Sequence, residues 1–134
     1  MLISSNFFDG ELVANRQLDA IKQPKREWPP CPVETTLALI GDKWKVLILR
    51  ELLGGTKRFK ELQRLVGNVS QKVLTQQLRS MEADGLVHRE VFAEVPPRVE
   101  YSLTELGWSL SPVIDAMRAW GEGFLRSELS SLSD

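Results

Sequence analysis

Three observations predict a mainly helical fold with one small β-hairpin. Apolar residues recur at helical spacing in separate stretches between Val33 and Phe124. Strand character is concentrated in Leu86 to Phe92 and Val99 to Leu103, with Pro96 and Pro97 between them. Glycines and capping residues punctuate the helical stretches: Gly41, Asp42, Gly54, Gly67, Ser70, Gly85 and Thr104.

Cys31-Pro32-Val33 opens a first helix that reaches about Ile40. Pro32 suits the first helical position, where its missing N–H would have no partner anyway, and Gly41 ends the helix. Asp42 caps a second helix, Lys43 to Leu53, with Trp44, Leu47, Ile48 and Leu52 at helical spacing and Gly54-Gly55 as its stop. Thr56 to Phe59 is a short connecting or strand segment. Lys60 to Val66 forms a third helix with Leu62, Leu65 and Val66 inward, broken by Gly67-Asn68-Val69. Ser70 caps a fourth helix running to about Asp84, in which Leu74, Leu78 and Met81 follow i, i+4, i+7 and Gly85 takes the C-cap position. Two helices joined by a short glycine-containing turn form a helix-turn-helix. Prolines cannot donate to a ladder, so the segment Ala93 to Arg98 is the turn of the hairpin, and the hairpin reads as a wing.

Thr104 caps a last helix whose apolar residues Leu106, Leu110, Val113, Met117, Trp120 and Phe124 are spaced 4, 3, 4, 3, 4, a heptad seam. Such a stripe either packs on its own domain or meets a second copy. A long helix after a small winged unit has little local core left to cover, which favours a dimer interface of Leu110, Val113, Met117, Trp120 and Phe124. Pro112 is expected to kink this helix or remove one of its hydrogen bonds. The expected organisation is an N-terminal arm, residues 1–30, with room for a helical part, and then a winged helix-turn-helix with a C-terminal dimerisation helix over 31–128. The prolines of Glu27-Trp28-Pro29-Pro30 favour extended backbone at the end of the arm.

The chain has 134 residues, enough for one core, and its 43% apolar and 26% charged residues are ordinary for a globular domain. No apolar run approaches the ~20 residues a membrane-spanning helix needs, and the first residues lack the basic start and long apolar stretch of a secretory signal. A cytoplasmic location without membrane attachment is expected. Cys31, the single cysteine, has no partner for an intrachain disulfide and fits a reducing compartment, while an intermolecular bond stays open. The net charge of −1 hides an asymmetry: Lys43 to Arg98 holds eleven Lys and Arg against six Asp and Glu, and the rest of the chain is acidic. A basic middle fits a cationic module that faces nucleic acid, although a solvated mixed-charge surface gives a weaker version of the same pattern.

Opposite the apolar stripe of the fourth helix stand Gln71, Lys72, Thr75, Gln76 and Arg79, with Ser70 at its start. These groups read bases or bind phosphate, and no acid interrupts them. In a major groove Gln71 and Gln76 could pair bidentately with adenine, and Lys72 could reach guanine or phosphate. A solvated helix face is the bland alternative. Arg98 follows two stiffening prolines at the tip of the hairpin, and a cation held out there suits a minor-groove or phosphate contact. Lys57, Arg58 and Lys60 lie at the start of the third helix, where backbone donors favour anions, and they are expected on phosphate, or else form a surface charge cluster.

The blocks CPVETTLALIGDKWKVLILREL, RFKELQRLVGNVSQKVLTQQLRSMEADGLVHRE and EVPPRVEYSLTELGWSL stand in the order and spacing of the HxlR family of bacterial regulators, and the chain resembles that family from Cys31 to about Phe124. The architecture is related to that of the MarR group. The first thirty residues fall outside the resemblance. It implies a transcription regulator that binds double-stranded DNA as a homodimer, with reading helices about one DNA turn apart and an inverted-repeat operator.

Cys31 would sit at a helix N-terminus, where the helix dipole and free N–H groups stabilise thiolate. The resemblance also implies a role: some members carry a sensing cysteine at this cysteine-proline site. A small packed residue is the alternative. His88, the single histidine, lies in a strand with no nucleophile or carboxylate pair at telling spacing, and no metal-ligand cluster or glycine-rich phosphate loop is present. Neither an enzyme nor a cofactor is expected. A winged helix that binds only proteins is the remaining class, and any small-molecule effector is left open.

Overall fold

The computed structural model describes residues 27–133. Residues 1–26, most of the expected arm, lie outside the described residues. The chain divides into two compact units at Thr35. Trp28 to Cys31 leads into helix α1, Pro32–Ile40, and the division falls within this helix. The Thr35 hydroxyl donates to the Pro29 carbonyl at 2.8 Å and the Cys31 carbonyl at 3.1 Å, fastening the incoming strand of chain to the first helical turn.

In the second unit the elements run α2 (Lys43–Leu52), β1 (Lys57–Arg58), α3 (Phe59–Val66), α4 (Gln71–Ala83), β2 (Val87–Phe92), β3 (Arg98–Leu103), α5 (Glu105–Trp108) and α6 (Ser111–Ser133). Capping chemistry sets the boundaries. The Asp42 carboxylate accepts from the Trp44 N–H at 2.8 Å, and the Glu61 carboxylate reaches back to the Arg58 N–H at 2.8 Å. The Ser70 hydroxyl accepts from the Val73 N–H at 3.1 Å. At the far end of α4, Gly85 has φ +79°, its N–H bonds to the Glu82 carbonyl, and the Leu86 N–H bonds to the Met81 carbonyl at 2.9 Å. This is a Schellman stop, and only a residue without Cβ holds that φ cheaply.

The sheet is antiparallel in the order β1-β3-β2. The expected hairpin therefore gains a third strand, the short segment before α3. Its core-side residues Val87, Tyr101 and Leu103 join Ile48, Leu49 and Leu52 of α2, Leu62 and Val66 of α3, and Leu74, Leu78 and Met81 of α4 in one buried cluster. Val69, in the turn between α3 and α4, is buried too, and its carbonyl accepts from the Gln63 side-chain amide at 3.2 Å. That ties the turn back to α3. The fold is a winged helix-turn-helix, as the sequence predicts.

Two expectations need correcting. The last helix is not continuous from Thr104: α5 ends at Trp108 and α6 begins at Ser111. Pro112 inside one long helix would have clashed with the preceding turn, and placing the break before it puts the proline in the first turn of α6, where no N–H is needed. Leu106 thus stands on α5, apart from the α6 stripe. Arg98 is not at a tip: it is the first residue of β3, paired in register with Phe92.

Candidate nucleic-acid interface

α4 carries the face singled out from the sequence. Leu74, Leu78 and Met81 anchor it with at most 2% exposure. That leaves Ser70, Gln71, Lys72, Gln76 and Arg79 exposed and Thr75 half-buried on the other side. The Gln77 amide donates to Asp42 at 3.4 Å, linking α4 to the N-cap of α2. The face is pre-positioned by its own core and by these ties.

A cleft of about 370 Å³ runs between α4 and the sheet. Gln71, Thr75, Arg79 and Glu82 line it from the helix, Phe59 from the start of α3, and Arg89, Val99 and Tyr101 from the strands. Sequence reasoning missed Arg89. The signal was present: Val87, Arg89 and Val91 alternate onto one face of β2, so a cation interrupts an apolar row.

The cations expected on phosphate are placed unevenly. Arg58 and Lys60 are exposed at the start of α3. Lys57 is half-buried, its ammonium donating to the Gly55 carbonyl at 3.3 Å. Arg98 is bound most tightly of all. Its guanidinium donates to Glu100 at 2.6 Å and to Glu94 at 2.8 Å, and it lies 3.8 Å above the centre of the Phe92 ring. The hydrogen bond from Arg98 holds the Glu94 carboxyl below its ordinary range, and that same pairing raises Arg98. Arg98 is thus folded back on the wing rather than held out from it.

The residues expected at a dimer interface also divide. Leu110 and Val113 pack against the buried core, and Ile114, beside them, is buried at 4% exposure. Beyond this point α6 leaves the body of the domain: Met117 is 50%, Trp120 71% and Phe124 48% exposed, and the last two rings stack at 5.3 Å. Cys31 is exposed immediately before α1. Among the described residues no helix is long and apolar enough to cross a membrane, and no cluster of potential metal ligands occurs.

The sequence model of the HxlR-like helix-turn-helix family matches residues 39–129. The uncharacterised HTH-type transcriptional regulator YdeP of Bacillus subtilis (strain 168) is 51% identical over 110 residues, covering 82% of this chain and 85% of its own. Among solved structures, the redox regulator HypR in its reduced form is 50% identical, with a TM-score of 0.69 over 75% of this chain and 99% of HypR. HypR in its oxidised form is 53% identical, with a TM-score of 0.66 over 69% of this chain and 96% of HypR. With the helix-turn-helix, the wing and this identity through most of the chain, the protein belongs to the HxlR-like helix-turn-helix family and is a transcriptional regulator, not an enzyme.

Proposed function

We propose that the chain binds double-stranded DNA as a homodimer, laying α4 in the major groove of each half of an inverted repeat. The observation that carries the reading is the exposed face of α4, where Gln71, Lys72, Gln76 and Arg79 project from a helix whose opposite side is buried. Ser70 and Thr75 extend that face, and Arg58 and Lys60 at the start of α3 supply phosphate contacts beside it. The exposed Met117, Trp120 and Phe124 of α6 form the dimer seam, since an apolar stripe that leaves its own core is stable in water only when covered. Residues 31–128 act as the DNA-binding and dimerisation domain. The test is retention of fragments from the protein's own genome, followed by titration of a retained duplex at several salt concentrations. Affinity that falls steeply with salt supports the reading, and a wing that binds only proteins retains no DNA.

A second reading is that Cys31 responds to oxidants or electrophiles. It is supported by the exposure of Cys31 at a helix start and by the likeness to a redox regulator solved in two oxidation states. With one cysteine per chain, the available products are a disulfide to Cys31 of a second copy, a mixed disulfide with a small thiol, or an alkylated sulfur.

A further inference from the structure

The two faces of the wing use their cations differently: Arg98 on the outer face is ion-paired, while Arg89 on the inner face has no ion pair among the described residues. Partners across an antiparallel ladder share a face. On the outer face the register sets Glu90 against Glu100 and Arg58 against Glu100 from the other side, with Arg98 against Phe92. Two glutamates directly opposed repel each other. Arg98 offsets this repulsion by pairing with Glu100 and also with Glu94 of the turn. Its charge is spent inside the wing, and its stacking on Phe92 fixes the guanidinium plane.

On the inner face, Arg89 stands opposite Tyr101 and lines the cleft with Gln71, Thr75 and Arg79 of α4. Neither Arg79 nor Arg89 has an ion pair among the described residues, whereas Arg98 has two. Glu82 lines the same cleft, so its three charged groups sum to one positive charge, the complement of a single phosphate. Thr75 and Gln71 add a hydroxyl and an amide that can donate to a phosphate oxygen.

We propose that the cleft between α4 and β2 is the seat of one DNA backbone phosphate, held by Arg89 and Arg79, and that Arg98 positions the wing without touching DNA. The inference rests on the DNA-binding reading above and assigns the wing's contact to a different residue and a different face. A phosphate gripped from helix and strand together fixes the depth at which α4 enters the groove, which is what phosphate contacts do for register.

The experiment is fluorescence anisotropy of the full chain with a labelled duplex retained from its genome, comparing the slope of log affinity against log salt. Arg89→Gln is expected to flatten the slope by about 0.9 and to weaken binding roughly tenfold at about 0.1 M salt, as the loss of one phosphate contact requires. Arg89→Lys, which keeps the charge, is expected to restore the slope. Arg98→Met is expected to weaken binding while leaving the slope at the wild-type value. Unchanged slope with Arg89→Gln, or a slope flattened by Arg98→Met, overturns the assignment. A wild-type chain that retains no duplex from its genome overturns the DNA-binding reading itself. Should Arg89→Gln fail to fold by circular dichroism, Arg79→Gln tests the same site from the helix.

Discussion

At the scale of single residues, position on α4 separates those that hold the helix from those that face outward. Ser70, the exposed residue just before α4, belongs to both groups, since its hydroxyl also accepts from the otherwise orphaned Val73 N–H. Ser70→Ala is expected to lower unfolding stability by ~1 kcal/mol, read from chemical denaturation. Lys72 and Gln76 belong to the second. Lys72→Ala and Gln76→Ala are expected to leave stability unchanged and to alter base preference, each costing ~1 to 3 kcal/mol of discrimination on a panel of single-base operator variants. Equal affinities across that panel for wild type and both variants would remove the reading role from α4. Gly107 shows a constraint of another kind. A Cβ there would collide with the Leu86 carbonyl oxygen and press on Leu103. Gly107→Ala is expected to cost about 1 to 3 kcal/mol, visible as a lowered thermal midpoint, because the obstacle is backbone and cannot rotate away.

At the scale of elements, Thr104 joins the end of α4 to the C-terminal segment. Its hydroxyl donates to the Gly85 carbonyl at 2.5 Å and accepts from the Gly107 N–H at 3.0 Å, so one side chain closes the end of α4 and opens α5. The outer half of α6 is open to a direct test. Replacing Met117 and Trp120 with glutamate is expected to produce monomers in sedimentation and to lose tight operator binding together, since a charge facing its own copy across an apolar seam is desolvated without a partner. A dimer that persists in the double variant would relocate the interface. Leu110 and Val113 are poor choices for that test because they also cover the core, and their loss would confound folding with assembly.

At the scale of the whole molecule, two copies related by a two-fold axis would place their reading helices ~34 Å apart, one turn of duplex. The retained genomic fragments are expected to carry an inverted repeat with that spacing, and footprinting that finds a single unrepeated half-site would argue for a monomer on DNA. The proposed response of Cys31 to oxidants is tested at this scale as well. Treatment with a mild thiol oxidant is expected to change the operator affinity of wild type while leaving Cys31→Ser unaffected. Equal affinity before and after treatment, with the thiol still titratable, would make Cys31 an ordinary surface residue.

Local chemistry made much of this protein legible from its chain alone. Asp42, Ser70, Gly85 and Thr104 mark helix boundaries because capping depends on one or two neighbouring residues, and each boundary lies where those residues stand. The buried triad of α4 follows from periodicity, and the face opposite it follows from the same count. What depends on residues distant in sequence was not legible. The pairing of β1 with β3 rests on only two residues, Lys57 and Arg58, too short for a pattern. The capture of Arg98 by Glu94 and Glu100 needs the strand register, which decides that Arg98 and Glu100 share a face while Arg89 turns to the cleft. The division of the C-terminal stripe into a half that packs inward at Leu110 and Val113 and a half that stands free at Met117, Trp120 and Phe124 needs the packed core. Side-chain identity determines what each residue can do, but which charges are spent inside the fold and which stay available is settled only when register and packing bring distant residues together.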